Sequence, residues 1–163
     1  ETFVTRKITR AIADIYHGKK NKFWIGNLDA KRDWGHAKDY VEMQWLMLQQ
    51  DEPDDYVIAT GKQTSVRKFI ELAAEKLNWG GIEWSGVGLN EIGRRKDNGN
   101  IVIKVDPKFF RPAEVQQLLG DPSKAQNQLG WKPSSSLDVL ISEMIEFDKN
   151  IALEQKKLST NNK

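Results

Sequence analysis

Cations placed at structural punctuation are the residues of this sequence best suited to chemistry, and the chemistry they suit is anion binding. Lys7 falls in the first turns of a helical pattern, where its charge opposes the helix dipole by about 0.3–1 kcal/mol unless an anion compensates. With Arg6 and Arg10 it equally makes a solvated basic face. Arg32 opens "RDWGHAKDY", just ahead of a helix entrance, and suits a bidentate pair with a phosphate or with a nearby carboxylate such as Asp29. Arg111 precedes Pro112, which keeps it out of the helical region, and Glu114 lies three residues on. Glu114 can accept from a ligand hydroxyl or pair internally with Arg111. His36 reads as a helix-start hydrogen-bonding residue.

Other chemistries find little support. There are two histidines, no cysteine and no HExxH spacing, so no metal site is expected and disulfides and a thiol nucleophile are excluded. No serine sits in a G-x-S-x-G elbow, and neither "GVGLNEIG" nor "GDPSKAQNQLG" is a G-x-G-x-x-G dinucleotide fingerprint. No catalytic residue is assigned.

The elements that must position these side chains follow from periodicity. Val4, Ile8, Ala11, Ile12 and Ile15 recur at helical spacing from Thr2 to His17, with Gly18 as a stop. "KFWIGNLD" reads as a short strand and turn. His36 to Gln50 reads as a second helix with Tyr40, Val41, Trp45 and Leu48 as its buried stripe. "YVIAT", residues 56–60, has the β-branched run of a strand covered on both faces, and Thr64 or Ser65 caps "SVRKFIELAAEKLN". "GIEW" and "NIVIKVD" are strands, and the basic, Gly/Asn-rich stretch between them reads as a mobile loop. Asp121, Pro122 and Ser123 open a short helix ended by Gly130. The last helix buries Leu137, Leu140, Ile141, Met144, Ile145 and Phe147, and a disordered tail is expected over 155–163. Of six tryptophans, Trp45 and Trp131 read as core, while Trp24, Trp34, Trp79 and Trp84 have no assigned place.

The chain has 163 residues, 25 basic and 23 acidic, so any anion site is local rather than a basic surface for nucleic acid. No apolar run approaches a membrane span, and "ETFVTRKITR" has no signal-peptide core. The absence of cysteine permits a reducing compartment, and a cytoplasmic location is expected. A start on Glu1 in place of methionine, running at once into helical periodicity, suggests an excised or processed piece.

Taken together, "FVTRKITRAIA", "GNLDAKRDWGHAKDYVEMQWLMLQ", "YVIATG", "SVRKF" and "VDPKFFRPAEVQQLLGDPSKAQNQLGWKP" resemble the carboxyl-terminal half of the GDP-mannose 4,6-dehydratases, in the extended short-chain dehydrogenase/reductase superfamily. The resemblance implies an α/β fold made of a substrate-binding lobe plus the last strand and helices of an NADP-binding Rossmann-type fold. Residues 1–154 would be the nucleotide-sugar-binding part, with the amino-terminal NADP lobe and its catalytic residues upstream of Glu1. In the family, NADP oxidises the hexose at C4, water is lost across C5 and C6, and the hydride returns to C6. The resemblance assigns Lys7, Arg32 and Arg111 to the GDP phosphates and Glu114 to a ribose hydroxyl, and puts Val4 and Asn27 beside the nucleotide. GDP-mannose is thus the implied ligand, NADP the implied cofactor held by the absent lobe, and a homo-oligomer, dimer or tetramer, the implied assembly. Without that lobe the chain is expected to be inactive and to expose a strand edge and apolar faces. A GDP-hexose reductase or epimerase, or a non-catalytic nucleotide-binding module, is the alternative.

Overall fold

Apolar side chains three and four residues apart give the first helix, α1 (Val4–Tyr16), a single buried stripe of Ile8, Ile12 and Ile15. It ends where Gly18, at φ 71°, reverses the chain and the Lys19 N–H returns to the Asp14 carbonyl at 2.8 Å. The computed structural model describes residues 3–161.

Strand β1 (Phe23–Ile25) follows, then β2 (Lys31–Arg32), helix α2 (Ala37–Leu48), β3 (Thr64–Ser65) and helix α3 (Val66–Glu75). Strands β4 (Ile82–Ser85), β5 (Ile92–Arg95) and β6 (Ile101–Val105) lead to helices α4 (Ser123–Leu129) and α5 (Leu137–Asn161). Four strands form one sheet in the order β1-β6-β5-β4, with β1 parallel to β6 and the remaining pairs antiparallel. The pair β2–β3 is a separate antiparallel ribbon. Helices α1, α3 and α5 cover the sheet through Ile8, Ile12, Phe69, Ile70, Ile141 and Ile145, which meet Phe23, Ile25, Ile103 and Trp79 in the main core. A smaller cluster joins Met43 of α2 to Ala125 of α4 and to Trp131.

Several expectations change. The 85–99 stretch, expected to be a mobile loop, contains β5, hidden from a periodicity count because its core position is Gly93; a Cβ there would lie 2.8 Å from Ile103 Cδ1 and 2.9 Å from Trp84. "YVIAT" forms no strand: no ladder partner runs beside it among the described residues, and Tyr56 and Ile58 pack on the smaller cluster instead. On α2 the buried side is Asp39 and Met43, while Val41, Trp45 and Leu48 are 62%, 60% and 81% exposed. Apolar residues surround that helix, so spacing selects no face; the choice is made by Asp39, which accepts from Ser134 Oγ and the Ser135 N–H, and by Trp131, whose indole donates to the Asp39 carbonyl. Phe147 of α5 is exposed, its ring lying under the Arg6 guanidinium. The expected tail is helical through Asn161, because α5 keeps packing: Ala152 is buried, and Lys156 donates to the His17 carbonyl at the end of α1. Residues 162 and 163 lie outside the described residues.

Candidate functional site

Val4, Lys7, Asn27, Arg32, Arg111 and Glu114 line one hollow of about 290 Å³, floored by Ile25, Gly26, Ala30 and Val66. Four separate chain segments supply them. Val4 and Lys7 stand three residues apart on the first turns of α1 and so share a face. Burial pushes the Lys7 ammonium below its ordinary pKa, against the pull of Asp106, and its Nζ lies 3.2 Å from the centroid of the Phe109 ring.

Asn27 sits in the turn after β1 and is a clamp. Its Nδ2 donates to the Arg111 carbonyl at 3.0 Å, and its Oδ1 accepts from the Arg111 N–H at 2.8 Å. The clamp requires close backbone approach, and Gly26 allows it: a Cβ there would lie 1.9 Å from the Phe109 carbonyl oxygen. Further along, the Lys31 N–H donates to the Gln116 carbonyl and the Leu118 N–H to the Lys31 carbonyl, a parallel bridge that lays residues 114–118 beside β2.

Arg32 and Arg111 therefore differ. Arg32 Nη2 donates to Glu114 Oε1 at 2.6 Å, and Nη1 to the carbonyls of Val115 and Lys31 at 2.8 and 2.7 Å. Arg32 thus pairs with Glu114 and not Asp29, and the Arg111–Glu114 pair does not form. No ion pair or hydrogen bond engages the Arg111 guanidinium among the described residues, which leaves its five donors for a ligand. Of the other basic residues on α1, Arg6 pairs with the buried Asp148 at 3.0 Å, and Arg10 lines a neighbouring groove with Lys20, Lys22 and Trp24. His36 is the N-cap of α2: Nδ1 accepts from the Lys38 N–H, so Nε2 carries the proton donated to Glu143.

Two residues with a part here escaped the sequence reading. Phe109 walls the hollow beneath Lys7, and its signal was one of two adjacent phenylalanines in "PKFFRP", which spacing does not tell apart. Arg67, at the start of α3, grips Asp29 and Glu91, partners 38 and 24 residues away that spacing cannot connect. Among the described residues no three His, Cys, Asp or Glu are placed to hold a metal. No helix among them is long and apolar enough to cross a membrane.

The pocket suits a compact dianion with a polyol beside it, since cations converge from separate segments and Glu114 stands next to Arg32 as an acceptor. NADP does not fit these residues. The turn after β1 leads into the β2 ribbon rather than directly into a helix, so the strand–turn–helix that cradles a dinucleotide pyrophosphate is not built there, and Gly26 is already used by the Phe109 backbone.

Comparison with known proteins agrees with this architecture. Residues 1–144 match the family model described as GDP-mannose 4,6 dehydratase. The chain is 50% identical over 171 residues to the GDP-mannose 4,6-dehydratase of Yersinia enterocolitica, covering 99% of this chain and 46% of that protein. It is 56% identical to the Cricetulus griseus protein of the same name and 53% identical to that of Homo sapiens, covering 90% of this chain and 39% of each. It thus spans less than half the length of these relatives. Among solved structures, that of RMD from Pseudomonas aeruginosa complexed with NADPH superposes with a TM-score of 0.72 at 20% identity, covering 91% of this chain and 43% of that one. The UDP-glucose 4-epimerase from Bifidobacterium longum in complex with NAD+ and UDP gives 0.60 at 18%, covering 88% and 39%, so the α/β fold is that of the Rossmann-type enzymes. With a family model over most of its length and relatives at half identity, the chain belongs to the GDP-mannose 4,6-dehydratase family.

Proposed function

We propose that this chain is the nucleotide-sugar-binding part of a GDP-mannose 4,6-dehydratase, a hydro-lyase that converts GDP-mannose to GDP-4-dehydro-6-deoxy-mannose. The observation that carries the reading is the shared hollow of Lys7, Arg32 and Arg111, drawn from three distant places in the sequence. In this reading the two guanidiniums and the ammonium hold the diphosphate, Glu114 accepts from a ribose hydroxyl, and Val4 and Asn27 border the nucleotide. Such a grip acts at a distance from the reacting carbons: it fixes the hexose against the coenzyme and converts remote binding into orientation. When bound, NADP supplies the hydride chemistry; it belongs to a lobe other than these residues, and no step of the oxidation is assigned to side chains of this chain.

The exposed Val41, Trp45 and Leu48, on one face of α2, support the need for such a lobe, because an apolar helix face of this kind is ordinarily covered. In the same reading the complete enzyme is a cytoplasmic homo-oligomer. A reductase or epimerase of the same superfamily is disfavoured by half-identity to dehydratases over almost the whole chain. The test is to give this chain GDP-mannose and NADP, following binding by calorimetry and the keto-sugar by its absorbance. Binding without turnover is expected; keto-sugar formation, or no affinity for GDP-mannose, would overturn the assignment.

A further inference from the structure

A second hollow of about 450 Å³ lies behind the anion pocket, and the two share Gly26, Asn27 and Ala30 as a common wall. On the far side of that wall stands Arg67, in the first turn of α3. Its Nε and Nη2 donate to the two oxygens of Asp29 at 2.8 and 3.0 Å, while Nη1 donates to Glu91 Oε1 and Nη2 also reaches Glu91 Oε2. The Trp84 ring lies 4.8 Å from its Cζ, and the Trp84 indole is itself held by Glu71 at 2.9 Å. The Arg67 N–H donates to the Leu28 carbonyl and the Val66 N–H to the Ala30 carbonyl, so α3 grips this wall by backbone as well as side chain. Burial opposes the Arg67 charge, and its hydrogen bonds to Asp29 and Glu91 outweigh that, raising its pKa.

We propose that Arg67 is a positioning residue for the anion pocket: forked between Asp29 and Glu91, it fixes the Gly26–Ala30 wall from behind and so holds Asn27, Arg111 and Arg32 where they converge on a nucleoside diphosphate. The link runs through bonds already described. Asp29 is two residues from Asn27, Asn27 clamps the Arg111 backbone, and Lys31, next to Arg32, bridges to residues 116–118. Neither Arg67 nor Asp29 lines the anion pocket, so neither touches the ligand there. A merely structural ion cluster would add stability evenly; a brace controls the geometry of one wall.

The inference rests on the diphosphate reading of the pocket, and two measurements separate them. The first variant is Asp29→Asn, whose side chain is 75% exposed and whose loss does not threaten the core; Arg67→Met and Arg67→Lys follow. Hydrogen exchange is read at the amides of Lys31, Arg111 and Leu118, and GDP affinity by calorimetry. The expected result is exchange faster by about tenfold at those three amides, with α1 and α3 unchanged, and a GDP Kd weaker by roughly tenfold, partly restored in Arg67→Lys relative to Arg67→Met. Unchanged exchange at those amides, or an acceleration spread evenly through α1 and α3, would overturn the brace. Wild-type chain that takes no GDP would instead sink the diphosphate reading, and the exchange pattern alone would then decide the brace.

Discussion

Arg111 presents its full charge to the pocket, whereas Arg32 arrives with part of its charge already answered by Glu114. Bringing a diphosphate to Arg32 places two kinds of anion around one guanidinium, so its gain on binding is reduced by repulsion from the carboxylate. Arg111 has no such competitor among the described residues, and Asn27 fixes its backbone at both N–H and carbonyl. Replacing Arg111 with alanine should therefore weaken GDP binding by about 1.5–3 kcal/mol, the range for charge-assisted hydrogen bonds, and calorimetry on a variant of unchanged thermal stability checks it. Equal affinity for GDP in the variant would clear Arg111 of the role.

At the scale of elements, polar contacts decide orientation where hydrophobic spacing does not. The α2 helix carries apolar residues all round, and Asp39 selects its buried side through Ser134 and Ser135. Burial penalises the Asp39 charge, but those hydrogen bonds outweigh it and hold its carboxyl below the ordinary range. An acid so depressed contributes stability above the ordinary carboxylate range and loses it as pH falls through its folded value. Asp39→Asn should thus cost about 1.5–3 kcal/mol at pH 7, with the gap to wild type closing in acid; denaturant unfolding followed by circular dichroism at several pH values checks it, and a gap constant with pH would contradict it. The same distinction explains what could be read from sequence. Helices α1 and α3 have one apolar stripe and clear end signals at Gly18 and Ser65, so spacing located them. Strand β5 has a glycine at its core position, α2 has no unique stripe, and "YVIAT" has strand composition without a ladder partner among the described residues, so composition misled at each.

For the molecule as a whole, the site is a product of topology. Parallel pairing of β1 with β6 brings the ends of both strands together, and Asp106 follows by donating its N–H to the Ile25 carbonyl, so the turn carrying Asn27 and the segment carrying Arg111 meet. Helix α1 then lays Val4 and Lys7 over them. Residue spacing alone left Lys7, Arg32 and Arg111 each with a bland alternative; family resemblance named them as a set, and the fold gathers them in one hollow. Arg67 stayed invisible because its partners are joined to it only in three dimensions. The most direct measurement is calorimetric titration of the chain with GDP, GMP and guanosine in parallel, repeated as salt is raised. Convergence of three cations on one pyrophosphate predicts that affinity falls at each loss of phosphate and that the GDP advantage shrinks with salt; guanosine binding as tightly as GDP would contradict it.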